Sequence, residues 1–180
     1  MPCSPFRHGD DVDPAPLILT LRFDAKSFAQ LDGLRRAHFP PERNHIPAHL
    51  TLFHALPGAA LEEIVSHLRG ACAATPPLPL RIAGLRFLGR GVALEITGEE
   101  LGALRRDLSR HWRHWLTPQD AQGWRPHVTI QNKVAPELAR GLMDSLARDF
   151  IPWEARGEGL LLWHYRGGPW EAALDLALAG

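Results

Sequence analysis

The pattern histidine, aliphatic, threonine, aliphatic occurs twice in this chain, as His49-Leu50-Thr51-Leu52 and as His127-Val128-Thr129-Ile130. In an extended strand successive side chains point to opposite faces, so each copy sends its histidine and threonine to one side and its aliphatic pair to the other. The apolar side demands a core, and the polar side is left for a groove. Two such strands lying side by side present two imidazoles and two hydroxyls to one small anion.

The rest of the chain reads as two similar rounds of structure about these strands. Leu17 to Phe23 alternates apolar residues with β-type composition, predicting a first strand. Asp24 can cap a following helix whose apolar positions are Phe28, Leu31 and Leu34, and which Pro40 and Pro41 stop. After the first motif, Pro57-Gly58 ends the strand, and Leu61, Ile64, Val65, Leu68 and Cys72 mark a second helix. Strands over 80–88 and 92–97 join at Gly89-Arg90-Gly91 as a hairpin. A long helix is predicted over 99–116, with Leu101, Leu104, Leu108, Trp112 and Trp115 on one stripe and Arg105, Arg106, Arg110 and Arg113 on a solvated face. Past the second motif, Pro136 opens a helix with Leu138, Leu142, Leu146 and Phe150 as its buried stripe, and segments 160–165 and 170–178 pair about Gly167-Gly168. Each round runs helix, His/Thr strand, helix, hairpin. From 49 to 127 the histidines are 78 residues apart, too far for a solenoid repeat and suited to two copies of a small α+β lobe.

Length and charge narrow the class. At 180 residues the chain can bury one substantial core, or support two small lobes sharing one. Lys plus Arg equals Asp plus Glu at 20 each, which argues against a broad non-specific nucleic-acid surface and for a partner engaged at an end or a single linkage. The opening residues lack the apolar stretch of a secretory signal, and no run is long enough to span a bilayer. A soluble cytoplasmic protein is expected, with residues 1–16 a flexible lead and 17–180 one bilobal domain. Cys3 and Cys72 make neither a disulfide framework nor a CxxC pair, in keeping with a reducing compartment.

Histidine titrates near neutrality, so two imidazoles in one groove can be held in opposite protonation states, one accepting a proton while the other donates. At phosphorus, the neutral ring takes the proton of an attacking water or hydroxyl and the charged ring protonates the departing ribose oxygen. Thr51 and Thr129 can donate to the non-bridging oxygens and hold the phosphate between the rings. The scheme needs no metal and no cofactor, and it predicts a bell-shaped rate profile about neutrality. Strand alternation carries the groove face on to Phe53 after the first motif and to Gln131 and Lys133 after the second, with Arg125 a further source of positive charge. Phe53 suits either a stacking platform for a base or the core.

The pair HLTLF and HVTIQ, with the helices and hairpin between them, resembles the 2H phosphoesterase superfamily, also called the 2'-5' RNA ligase or cyclic phosphodiesterase family. The resemblance runs from about Leu17 to the end. It implies an α+β fold of two lobes related by a pseudo-twofold axis, with antiparallel sheets lining a central groove and helices packed outside. By motif position it gives His49 and His127 the catalytic roles and Thr51 and Thr129 the phosphate-binding roles. The activities it implies are cleavage of 2',3'-cyclic nucleotide phosphates or 2',5' linkages and, in some members, 2',5' ligation of RNA ends. The implied partner is a nucleotide cyclic phosphate or an RNA terminus, met by a monomer with no obligate protein partner and no membrane. Many relatives carry an arginine five residues after the second motif histidine, where this chain has Asn132 followed by Lys133.

Plainer readings attach to the same residues. A lone histidine in a strand is more often a hydrogen-bonded structural group, and threonine is favoured in strands on propensity alone. Repetition is what points to chemistry. His45, His49 and His54 stand at intervals that zinc sites use on helices, but here the interval crosses Pro47 into a strand and no Cys, Asp or Glu joins it, so His45 and His54 are expected in a loop and on the core side. The rival to an enzyme is a module that binds a nucleotide or RNA end in the same groove without turning it over.

Overall fold

Asp24 begins the first helix as its position suggests: its carboxylate accepts from the N–H groups of Lys26 and Ser27, each at 3.0 Å. The structure, a computed structural model, describes residues 15–180, so the flexible lead expected over 1–16 falls almost wholly outside the described residues, as does Cys3. In chain order the elements are β1 (Leu17–Phe23), α1 (Ala25–His38), β2 (Leu50–Leu56), α2 (Leu61–Ala74), β3 (Leu78–Phe87), β4 (Val92–Thr97), α3 (Glu99–His111), α4 (Pro118–Ala121), β5 (His127–Gln131), α5 (Pro136–Asp149), β6 (Trp153–His164) and β7 (Glu171–Ala177). Among the described residues no helix is long and apolar enough to cross a membrane.

Three elements depart from the sequence expectation. Helix α3 stops at His111, short of the predicted end near 116, yet Trp112 is still fully buried beyond its end against Phe53. Leaving the helix there lets the chain double back and set α4 against β2. Strand β6 starts at Trp153 rather than near 160, because Ala155 and Gly157 supply its inward face while charged residues alternate outward and hide the signal. On α5 the packed face follows Ala139, Leu142, Met143 and Leu146, leaving Leu138 64% exposed.

All seven strands join one antiparallel sheet in the order β2-β1-β6-β3-β4-β5, with β7 also on β6. The unit that recurs is strand, helix, strand, helix, strand, and each unit passes its third strand to the other. Thus β6 pairs with β1, β3 pairs with β4, and the two exchanged strands meet at a β3–β6 seam where Leu80 faces Ala155. The boundary between repeats therefore falls inside the β3–β4 hairpin and not after it. Both motif strands, β2 and β5, are ends of the sheet, and the sheet curls until those ends lie against each other.

What holds the motif strands is their aliphatic side. Leu50, Leu52, Val128 and Ile130 are all completely buried, each contributing about 2 kcal/mol from apolar burial. Backbone contact fixes β5 as well. A Cβ on Gly91 would come within 2.0 Å of the Gln131 carbonyl oxygen and 2.6 Å of Asn132 Cα. Neither atom can yield without moving β5. We expect Gly91→Ala to lower unfolding free energy by about 2 kcal/mol or more. Gly141→Ala, on α5 with nothing within 4 Å, should instead raise it by about 0.5–1 kcal/mol. Denaturant melts of both variants check this, and an unchanged midpoint for Gly91→Ala would contradict the close β4–β5 approach.

Candidate active site

Strand alternation holds only while ladder register holds, and both motif strands break register just past their threonines. Along β2 the partners are Thr20 with Thr51, Leu19 with Phe53 and Leu17 with Leu56, so one extra residue is inserted at Leu52 and another between Phe53 and Leu56. Along β5 the partners are Ala93 with Thr129 and Val92 with Gln131, inserting Ile130. The first bulge turns Phe53 into the core, fully buried against Trp112 and 3.7 Å under the Arg105 guanidinium, and swings His54 onto the groove face. Phe53 is therefore no groove-side platform. The bulge in β5 likewise buries Gln131. Lys133 lies past the strand in an exposed left-handed turn, with φ of 61°. Of these four expected groove residues, only Arg125 lines the pocket.

Backbone groups that a bulged edge leaves outside the ladder need other partners. Arg105 donates from Nε to the Leu52 carbonyl at 2.6 Å and from Nη2 to the Asp120 carbonyl at 2.7 Å. Trp124 Nε1 donates to the Thr51 carbonyl at 3.0 Å, and the Asp120 carboxylate accepts the N–H groups of His54 and Ala55 at 2.9 and 3.0 Å. At the opposite edge, Arg35 of α1 donates from Nη1 to the Thr129 carbonyl at 2.7 Å, while its Nε meets Asn44 Oδ1 and the Ile46 carbonyl. Each arginine is 5% exposed. Burial lowers both guanidinium pKa values, that of Arg105 to about 10, which leaves them cationic at neutrality. Arg105 is not on the solvated face expected for it. It shares a helical stripe with Leu101 and Leu108, and that spacing is a readable sign of burial.

The two edges enclose a pocket of about 510 Å³ that His49, Thr51, His127 and Thr129 all line, with His54, Arg86, Arg125 and Trp170. Each motif histidine is oriented in the same way. His49 Nδ1 donates to the Pro47 carbonyl and His127 Nδ1 to the Arg125 carbonyl, both at 2.8 Å. A carbonyl only accepts, so Nδ1 carries the proton in both rings and Nε2 is the nitrogen left for the pocket.

Burial pushes the His49 pKa down to about 4, and nearby Arg35, His127 and His54 add to the depression against the opposing pull of the Pro47 carbonyl. Trp170 packs on its ring at 4.8 Å between centroids. His127 is lowered too, by burial first and by Arg86, while the Arg125 carbonyl and Glu95 pull the other way. Burial thus favours the neutral form of both rings in the free protein, where the sequence expectation has one ring charged and the other neutral.

Sequence reasoning misses His54 and Asp120, the first through the alternation error and the second because it lies in an unpatterned loop. His54 Nδ1 is 2.9 Å from Asp120 Oδ1. Burial raises the pKa of Asp120, but hydrogen bonds from the His54 side chain and from the His54 and Ala55 backbone outweigh it and keep the carboxyl below its ordinary range. His45 is exposed in its loop and lines a different cavity. That cavity, an apolar cleft of about 510 Å³, shares His49 and Trp170 with the polar pocket and adds Trp163, Phe28 and Leu161. Among the described residues no three His, Cys, Asp or Glu side chains are grouped to hold a metal ion.

The family profile of the 2'-5' RNA ligase superfamily matches residues 23–169. No curated protein matches the sequence. Among solved structures, TT0787 of Thermus thermophilus is 18% identical with a TM-score of 0.67, the match covering 92% of this chain and 98% of that one. E. coli LigT complexed with 3'-AMP is 23% identical with a TM-score of 0.60, covering 93% of this chain and 100% of LigT. LigT complexed with NADP+ gives 22% identity and a TM-score of 0.54 over 93% and 100% of the two chains. These structures share the fold of one mixed α+β chain, and the profile match spans both histidine motifs and most of the sheet that carries them: the chain belongs to the 2'-5' RNA ligase superfamily, the 2H phosphoesterases.

Proposed function

We propose that this protein is a metal-independent phosphoesterase that acts on 2',3'-cyclic phosphate or 2',5'-phosphodiester linkages of nucleotides or RNA ends. The observation that carries this reading is the matched pair of imidazoles: from opposite ends of one sheet, each ties Nδ1 to its own chain two residues back and leaves Nε2 for a common pocket. A module that only binds needs no two groups able to exchange protons. The adjoining apolar cleft, walled by Trp163 and Trp170 with ring centroids 6.1 Å apart, suits the nucleoside part of such a substrate. LigT, of the same fold, was crystallised with 3'-AMP, a ribose 3'-phosphate.

In the reaction, water attacks phosphorus as one neutral imidazole takes its proton, the bond from phosphorus to the ribose oxygen breaks, and the other imidazole, protonated, delivers its proton to that oxygen. Thr51 and Thr129 donate to the non-bridging oxygens. His49, the more strongly depressed, is the base. His127, beside Glu95, is the acid. Because burial favours the neutral form of both rings, the anionic substrate itself supplies the charge that lets the acid acquire its proton.

Purified protein in EDTA should hydrolyse nucleoside 2',3'-cyclic phosphates, with His49→Ala and His127→Ala each losing about 10³-fold in kcat while keeping the fold by circular dichroism. Thr51→Ala and Thr129→Ala should lose on the order of 10²-fold. Tight nucleotide binding without turnover across cyclic and 2',5'-linked substrates would contradict the enzyme reading. The pH profile gives a second check. In the free protein the base is lost as pH falls through about 4, the His49 value, and the acid is lost as pH rises through the lowered His127 value. The bell in kcat/KM should therefore centre on the acid side of neutrality, and the bell in kcat should lie at higher pH because the bound anion raises both groups. His49→Ala should abolish the acid limb and His127→Ala the alkaline limb; the reverse pattern would exchange the two roles.

A further inference from the structure

The pocket holds a third imidazole that a paired-histidine mechanism leaves unused. His54 Nδ1 faces Asp120 Oδ1 at 2.9 Å, and the ionised carboxylate only accepts, so Nδ1 carries a proton and Nε2 remains for the pocket. Asp120 is 3% exposed, and its oxygens also take the N–H groups of His54 and Ala55. The His54 side chain keeps 42% of its surface open. A buried negative charge thus stands directly behind an accessible ring.

The arginines of the pocket are otherwise engaged. Arg105 spends Nε and Nη2 on backbone carbonyls, and Arg86 and Arg125 both reach Glu95 Oε1, at 3.1 and 3.3 Å. His54 lines the same pocket as His49 and His127, so its ring is within reach of any anion those two rings hold.

We propose that His54 is a third ligand of the bound phosphate, its Nε2–H donating to a non-bridging oxygen while Asp120 balances the imidazolium. This rests on the reading of the pocket as a phosphoester site. The geometry also gives a nearly symmetric scaffold a direction. His54 stands five residues after His49, and its counterpart five residues after His127 is Asn132, whose Oδ1 accepts the Lys133 N–H and which does not line the pocket. The third ligand comes from one edge only, and it draws the phosphate toward β2.

The test is His54→Gln, which can still donate to Asp120 but brings no cation, with His54→Arg as the rescue. Inorganic phosphate binding measured by calorimetry should weaken roughly tenfold in His54→Gln, KM for a nucleoside 2',3'-cyclic phosphate should rise by a similar factor with kcat within about threefold, and His54→Arg should recover most of both. Phosphate affinity equal to wild type, or a loss confined to kcat, would overturn the proposal. In the wild-type protein, titration with inorganic phosphate should move the His54 ring resonances in step with those of His49 and His127, and a stationary His54 would overturn it independently of how any variant folds. Turnover that survives without His54-dependent binding sinks this inference alone. His54-dependent phosphate binding without turnover supports it and sinks only the enzyme reading.

Discussion

A carbonyl or amide left outside a sheet's ladder must find a partner or cost the fold on the order of a kilocalorie or more, and here that requirement organises the pocket between the two motif strands. Both motif strands are sheet ends and both are bulged, so they shed backbone groups beside the pocket that both histidine motifs line. Buried guanidinium groups answer at both ends, Arg35 on the Thr129 carbonyl and Arg105 on the Leu52 carbonyl. Each reaches from the helix of one repeat to the motif strand of the other. The two sheet ends are thereby tied across the groove by the same contacts that satisfy them, and removing either arginine would strand a buried acceptor as well as loosen the closure.

The bulges also decide which side chains see the pocket. Without the insertion at Leu52, Phe53 would face the groove and His54 the core; with it, the aromatic ring fills the space beneath Arg105 and an imidazole enters the site. Desolvation in that enclosed space favours the neutral form of His49 and of His127. On the proposed reaction, an anion held between the two rings favours the proton that one of them must donate.

Much of this is legible from residue patterns, and what is not has a common cause. The motif strands, the Asp24 cap, the Pro136 start of α5 and the recurrence of the histidines follow from local periodicity and capping chemistry, which act within a few residues. Phe53, Gln131 and His54 are misplaced by alternation because bulges are set by the partner strand, which the pattern along one strand does not include. The early part of β6 escapes notice because residues 154–159 are charged and glycine-rich, and its pairing with β3 comes from the far repeat. The apolar side of the motifs, and with it the orientation of Thr51 and Thr129 into a shared space, requires only the period of an extended chain.

The most direct measurement is a crystal structure with 3'-AMP or inorganic phosphate bound. Two imidazole Nε2 atoms, those of His49 and His127, should lie within about 3 Å of oxygens on one phosphate, with the Thr51 and Thr129 hydroxyls on the same group. A phosphate held by only one of the rings, or seated elsewhere on the molecule with the two rings idle, would contradict the shared-anion arrangement on which the proposed chemistry stands.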